Sequence, residues 1–427
     1  MKGRNHKRGV RGKARSRHRS KVGASQILEL LLDARRDLRA VVLVHGFAVF
    51  QQMLEEDRTA ICGSRSAPDP NRDAYRHGFD EGVLNFGGRQ VRLRKPRVRR
   101  KAGGEVELPT WSSYRDNDPL ERRAVNQMIL GVSTRNYGRS LEDVPETPSL
   151  GTERSSVSRA FVSRTETAVK EFLRRALSPD DYPVIMIDGK DVGGHMLLIV
   201  LGVDREGYKH VLGVAEGTTE NSEVCRTLLR DLITRGFNVA HPRLVVLDGG
   251  KGLRKAVKEV FGRWALVQRC RVHKLRNVLE HLPKDQQATV AAALKRAWAS
   301  NRPETAKRLL RQLAGHLRKD HPGAAGSIEE GLEETLTILR LGLTGHLHRL
   351  FSSTNMIENV NGTVQDLIRR VKRWRNGEMA IRWTVVGAMV AEKQFRRILG
   401  WKDMPAMIVA LKEQISGSVL DKKAVNQ

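Results

Sequence analysis

The sequence predicts an α/β catalytic core, a mixed five-stranded sheet with helices, interrupted by an all-α insertion and preceded by a largely helical basic region. Three observations carry this. Apolar runs of strand length cluster between residues 184 and 267 and alternate there with helical spacing. Residues 285–350 then read as nearly continuous helix. The first 22 residues hold ten Lys or Arg, and no acidic residue precedes Glu29.

In chain order, residues 1–24 cannot bury enough apolar surface to fold alone and read as a flexible basic arm. Residues 25–115 form an N-terminal helical and hairpin region. From about Ser25 the spacing of Ile27, Leu28, Leu31, Leu32, Val41 and Val42 is helical, continuing to about Glu56. Residues 62–75 are turn-rich and read as a linker. In 83–101, Val91 and Leu93 point one way, Arg92 and Arg94 the other, and Gly87-Gly88 supplies a turn. Beyond Pro96 the parity shifts by one, with Val98 between Arg97 and Arg99. Pro96 limits this strand or hairpin to a sheet edge. Eight of residues 89–101 are Lys or Arg. Charge guards many edges against aggregation, but charge on one face favours phosphate contact.

Residues 116–178 read as a helix-turn-helix-like DNA-binding region with helices at 118–143 and 154–176. The first ends in a Gly-Val-Ser-Thr-Arg turn, where Ser133 or Thr134, beside Arg135, can cap the next helix. The second opens on Ser155 and Ser158 and carries Arg154, Arg159 and Arg164 on its surface. An ordinary helical pair stays open, because the loop Val144–Glu153 is longer than a tight turn.

Residues 179–284 hold strands at Val184–Asp188, Met196–Asp204, Tyr208–Ala215, Arg243–Leu247 and Trp264–Val267, with helices at Asn221–Gly236 and Gly252–Phe261. Loops GKDVGG and REG make the first three strands antiparallel. The order β-β-β-α-β-α-β, with parallel additions after them, is that of a ribonuclease-H-like core. Helical residues 285–345 are read as an insertion. Residues 346–405 are the last part of the core, and 406–427 a C-terminal tail.

The 427 residues suggest two to four domains. With 76 Lys and Arg against 48 Asp and Glu, the net charge of +28 calls for a polyanionic partner. The longest apolar stretches, Ala40–Phe50 and Met196–Val203, fall short of the ~20 residues of a membrane span. The basic N-terminus lacks the apolar run of a secretory signal. Three scattered cysteines, Cys62, Cys225 and Cys270, suit a reducing cytosol. Nucleic acid is the partner that remains.

Phosphodiester chemistry needs an oxygen nucleophile and charge neutralisation at the leaving oxygen. Two Mg²⁺ ions held by about three converging carboxylates supply both. Asp188 ends VIMIDG and Asp248 ends LVVLDGG, on strands that this topology sets side by side. Asp-Gly after one strand is an ordinary turn signal; two such steps favour metal ligands. Glu358 opens the final core helix in FSSTNMIENVNG, where Asn355 and Glu358 also match a capping box. Asp191, Asp204 and Glu220 are nearby alternatives. Cys270 and His273 resemble half a zinc site, but no second pair follows at finger spacing. They read as a hydrogen-bonded pair supporting the active centre, extended by Arg276 and Asn277.

At these residues the chain resembles bacterial insertion-sequence transposases of the Mutator family. The resemblance runs from about Leu120 to Trp401. It is densest in IDGKDVGG, LGVAEGTTENSEV, LVVLDGGKGLRKAV, VQRCRVHKLRNVLEHLP and FSSTNMIENVNGTVQDLIRRVKRWRNGEMAIRW. It implies a catalytic and metal-binding triad at Asp188, Asp248 and Glu358, with the family's Cys-x-x-His element on Cys270 and His273. It also implies Mg²⁺, replaceable by Mn²⁺, an insertion at about 285–345, and action on the terminal inverted repeats of its own element. A strand-bridged or circular intermediate follows from the same likeness. Residues 1–25 and the loop 144–153 depart from the family pattern. After Glu358, the stretch Asn361, Arg369, Arg370, Lys372, Arg373 and Trp374 suits DNA near the cut, although a solvated helix face explains each residue as well.

The expected function is DDE transposition. Hydrolysis by a metal-activated water leaves a 3′-OH, which attacks a second phosphodiester of double-stranded target DNA. No Ser or Tyr nucleophile is required. Two DNA ends imply a homodimer or larger assembly, acting at the nucleoid in the bacterial cytoplasm. The rivals are a catalytically inactive or repurposed sequence-specific DNA-binding protein and a simple nuclease, for which the insertion and basic region are surplus.

Overall fold

A computed structural model gives the fold, describing residues 24–67, 71–115, 123–129, 132, 135–141, 149–150, 152–177, 182–369 and 371–425. The expected basic arm up to residue 23, most of the loop 144–153, much of the helix expected at 118–143 and Arg370 lie outside the described residues. The chain divides into two compact units, Met1–Ala124 with Thr134–Val157, and Val125–Ser133 with Ser158–Gln427.

The first unit begins with helix α1 (Ala24–Cys62), which runs six residues past the expected end at Glu56. The extra turns bury Cys62 and pack Ile61 against the hairpin core. Strands β1 (Ala74–Phe86) and β2 (Arg89–Arg100) form that hairpin, so part of the expected linker is strand. Val91 and Leu93, then Pro96 and Val98, are buried on β2, while Gln90, Arg92, Arg94 and Arg99 are exposed. The parity shift at Pro96 is therefore real. The edge assignment is corrected: β3 (Glu105–Val106) and β4 (Ser149–Leu150) also pair with β2. They reach only Val98–Arg99 and Gln90–Val91, leaving Pro96 in the stretch where that side of β2 has no partner. Leu43, Phe50 and Leu54 of α1 join Leu84, Phe86 and Trp111 of the hairpin and of α2 (Pro109–Tyr114) in one core. Along the chain, α3 (Arg123–Ile129) precedes a 3₁₀ turn at Gly138–Ser140, then β4 and α4 (Arg154–Arg174). A strand thus stands where a helix-turn-helix would have its turn.

In the second unit Phe161 of α4 stacks on Trp383 with ring centroids 4.6 Å apart. Its sheet has the order β7-β6-β5-β8-β9: β5 (Val184–Val192), β6 (His195–Val203), β7 (Lys209–Glu216), β8 (Arg243–Leu247) and β9 (Ala265–Arg269). The first three are antiparallel, and β8 and β9 add in parallel, as expected. Helices α5 (Ser222–Thr234) and α6 (Lys251–Phe261) cover one face. Leu228, Leu229, Leu232, Ala256, Val257 and Phe261 pack there on Ile185, Ile187, Val245 and Leu247. Burying each Leu, Ile, Val or Phe side chain there is worth about 1.5–3 kcal/mol. Asn221 caps α5 by accepting from Glu223 N and Val224 N at 3.0 and 3.3 Å.

Helix α7 (Arg271–Glu280) leads into α8 (Lys284–Trp298), α9 (Pro303–Leu317), α10 (Pro322–Glu329), α11 (Thr337–Arg340) and α12 (Gly345–Phe351). These residues are helical as expected, with a core of their own around Val290, Leu294, Trp298, Leu310 and Leu317. The chain returns through α13 (Asn355–Ile368), which packs on β5 and β6, and α14 (Gly377–Glu392), which packs on β6 and β7. Covered on both faces, the strands read as continuous apolar runs. Helix α15 (Met404–Val425) occupies most of the tail expected from residue 406, with Met407, Leu411 and Ile415 buried. No described helix is long and apolar enough to cross a membrane.

Candidate active site

The parallel pairing of β5 with β8 ends at Ile187 opposite Leu247, and the next residue on each strand is an aspartate. Asp188 does not end its strand, as the sequence suggested. Strand β5 continues to Val192, paired with β6 alone, and turns through Gly193-Gly194, whose φ values of +65° and +87° suit a two-residue hairpin. Asp188 therefore sits where β8 stops and β5 loses that neighbour. Alternation points Ile187 into the α5/α6 core and Asp188 toward α13.

Asp248 leaves the end of β8, and its Oδ1 accepts from Gly250 N at 3.0 Å. Gly249 between them has φ +121°, a conformation that favours glycine, and the Arg269 guanidinium lies close against it. Asp188 is buried and its pKa is pushed up to about 6, first by burial and then by the charge of Asp248, with the His273 charge opposing. Asn361 on α13 donates from Nδ2 to Asp188 Oδ2 at 2.9 Å.

Glu358 is the fourth residue of α13, after Thr354 in the cap position, so the capping box expected from Asn355 is not formed. Its Oε1 instead accepts from the Thr354 hydroxyl at 2.9 Å. Cys270 caps α7: its Sγ accepts from His273 N at 3.5 Å and from Thr354 N at 3.4 Å. The Thr354 hydroxyl also lies 3.4 Å from that sulfur and 3.3 Å from His273 Nδ1. One hydroxyl carries one proton, so Thr354 serves Cys270 or Glu358 at any instant. His273 Nδ1 is 4.0 Å from Glu358 Oε1. Hydrogen bonding to Cys270 raises the His273 pKa; burial opposes, while the charges of Cys270, Asp188 and Glu358 reinforce it. Burial pushes the Cys270 thiol up, but hydrogen bonds from His273 and Thr354 prevail and lower it.

The expected site residues thus divide. Asp188 feels the charges of Asp248, His273 and Glu358, and a hydrogen bond between Cys270 and Thr354 links α7 to α13. Arg276 and Asn277 lie a turn beyond His273 on the same face of α7, both exposed. Among the described residues no three His, Cys, Asp or Glu side chains are gathered at the spacing of one metal ion's ligands. The alternative Asp204 lies at the opposite end of the sheet, bonded to His210 Nε2 at 2.9 Å, and Asp191 and Glu220 are exposed.

Of the residues expected at DNA, Arg92, Arg94, Arg135, Arg154, Ser155, Arg159, Arg369, Lys372 and Arg373 are exposed, and Ser158 and Arg164 half-buried. Arg58 and Arg94 both lie over the exposed Phe79 ring, at 4.7 and 4.8 Å. Helix α13 ends at Ile368, so Lys372, Arg373 and Trp374 lie in the loop before α14 and not on the helix as expected. The Trp374 ring lies against Gly193, leaving no room for a Cβ.

Other basic residues of the Cys270 block point inward. Arg269 donates to Glu330 O at 3.1 Å, Glu330 Oε2 at 3.2 Å and Gly249 O at 3.5 Å, tying the loop after Asp248 to the end of α10. Lys274 Nζ donates to the Ser327 and Glu330 carbonyls, and burial pushes its pKa down to about 8. Arg271 holds Thr335 O and Trp298 O. Sequence reasoning missed these, and it missed Thr354 and the contact of Asn361 with Asp188. No local pattern marks a cation as inward-facing.

A model of the family described as "Transposase, Mutator family" matches residues 31–397. The chain is 26% identical over 361 residues to the transposase for insertion sequence element IS256 in transposon Tn4001 of Staphylococcus aureus, covering 81% of this chain and 87% of that protein. It is 28% identical over 381 residues to the transposase for element ISRM5 of Rhizobium meliloti, covering 87% and 91%. Against the transposase for element IST2 of Acidithiobacillus ferrooxidans it is 32% identical over 176 residues, covering 41% and 58%.

Proposed function

The chain belongs to the Mutator family of transposases, and from that premise we propose that it is a DDE transposase with a ribonuclease-H-like core whose catalytic carboxylates are Asp188, Asp248 and Glu358. The observation that carries this reading is the register of β5 on β8, which sets two aspartates side by side under the helix that bears the glutamate. The substrate is double-stranded DNA, the terminal inverted repeats of its element and then a target. The work takes place at the bacterial nucleoid, by a homodimer or larger assembly holding two ends.

The donor set fits a hard divalent cation, Mg²⁺ or Mn²⁺. It offers carboxylate oxygens, one on Asp188, whose ionisation is opposed by burial and then by Asp248, and a buried Asn361 oxygen without a partner. Asp188 and Asp248 would hold it, with Glu358 as the third carboxylate. When bound, two such ions supply a nucleophilic oxygen and neutralise charge at the leaving oxygen. Asn361 fixes Asp188, and Thr354 fixes Glu358. The His273 pKa is raised, first by its hydrogen bond to Cys270, and with Nδ1 4.0 Å from the Glu358 carboxylate its protonated form would offset the crowding of three acids. Water opens the phosphodiester at the element end, and the 3′-OH released attacks the second phosphodiester in line. No Ser or Tyr is needed as nucleophile.

A second reading, a repurposed DNA-binding protein, draws on the Thr354 bond that occupies Glu358 and on the absence of a closed ligand set among the described residues. Incubating the chain with Mg²⁺ and DNA carrying its element's ends separates them. Cleavage followed by joining is the expected result. Cleavage without joining points to a nuclease, and binding without cleavage to the second reading.

A further inference from the structure

Asn361 lies one helical turn beyond Glu358 on α13, so the two side chains leave neighbouring points of one face. Its Nδ2 holds Asp188 Oδ2 at 2.9 Å. The side chain is 7% exposed, and its Oδ1 is buried with no hydrogen-bond partner. The amide cannot simply turn over, because Oδ1 would then face the Asp188 carboxylate, acceptor against acceptor. Buried carbonyl oxygens left unpaired are rare, and each calls for an explanation.

We infer that Asn361 is a fourth member of the carboxylate site: its N–H positions Asp188, and its Oδ1 is a neutral oxygen donor to the divalent cation held there. The inference rests on the reading of Asp188 and Asp248 as cation ligands. Hard cations accept amide carbonyl oxygens beside carboxylates. A neutral donor also adds a ligand without adding charge to a cluster where Asp248 already bears on a buried Asp188. Asn361 belongs in this role more than among the DNA-contacting residues of the following loop, because it is buried and they are exposed.

The test is Mn²⁺ binding to the full chain without DNA, by calorimetry near neutral pH. It compares wild type, Asn361→Ala, Asn361→Asp and Asp188→Asn, each melted first without metal. Asn361→Ala is expected to weaken binding about tenfold or more. Asn361→Asp keeps an oxygen at the same reach but has no N–H, and is expected to recover most of that loss. Equal weakening in both would overturn the ligand role and leave only the N–H contact. Binding unchanged in Asn361→Ala but weakened in Asp188→Asn overturns the inference alone. Binding unchanged in Asp188→Asn overturns the reading of the carboxylates and the inference with it. Should Asn361→Ala fail to melt cooperatively, Asn361→Ser makes the same comparison with a hydroxyl too short to reach.

Discussion

Asp188 binds its proton more tightly in the folded chain, where burial and Asp248 hold its pKa at about 6, than in the unfolded chain, where it is about 3.9. The charged form therefore opposes folding. The penalty, about 3 kcal/mol, is complete above pH 6 and is relieved as the pH falls from 6 towards 4. Without metal, Asp188→Asn should be more stable than wild type by up to that amount well above pH 6, the gap closing near pH 4; equal denaturant midpoints above pH 6 would contradict it. Thr354→Val tests the other end of the site. Removing the hydroxyl that Glu358 accepts from should lower cleavage about 10–100-fold while costing only about 1 kcal/mol of stability. A variant with wild-type turnover would deny Thr354 its positioning role. The two aspartates were legible because Asp-Gly follows an apolar run twice. Thr354 was not: it matters through a sulfur 84 residues away in sequence, and it takes the cap position that the sequence assigned to Asn355, without forming a capping box.

At the level of elements, the sheet order was readable because strands covered on both faces leave unbroken apolar runs. The extension of β5 to Val192 was hidden by Lys190 and Asp191, which belong to the strand only through pairing with β6. The inward-facing Arg269, Arg271 and Lys274 were hidden for a different reason: a chain of +28 invites every cation to be read as a DNA contact. Arg269 joins α10 to the loop after Asp248, so Arg269→Gln should cost about 1–3 kcal/mol, reduced from the full value for a buried pair because Glu330 is 46% exposed. Leu294→Ala, in the core of the helical insertion, should cost about 2–5 kcal/mol through the cavity it leaves. Compared below both melting temperatures, Arg269→Gln should lose more cleavage activity than Leu294→Ala. The reverse order would reduce Arg269 to a packing residue.

For the molecule as a whole, the buried cations mean that only part of the net charge is available to DNA. The exposed face of β2 is one such part, and its arginines are either phosphate contacts or guards of a sheet side that its partners cover only at two ends. Salt dependence separates the two. Each phosphate contact adds about 0.9 to the slope of log affinity against log salt concentration, so the double change Arg92→Gln with Arg94→Gln should reduce that slope by about 2. An unchanged slope would assign them to protection of the sheet.

The proposed mechanism turns on Glu358 as the third carboxylate. Glu358→Gln keeps an oxygen for the Thr354 hydroxyl and the shape of α13, and removes only the charge. With Mg²⁺ and DNA bearing the element ends, wild type should cleave and join while Glu358→Gln binds the same DNA and does neither. Cleavage by Glu358→Gln at the wild-type rate would remove Glu358 from the catalytic set and leave it as a helix residue held by Thr354.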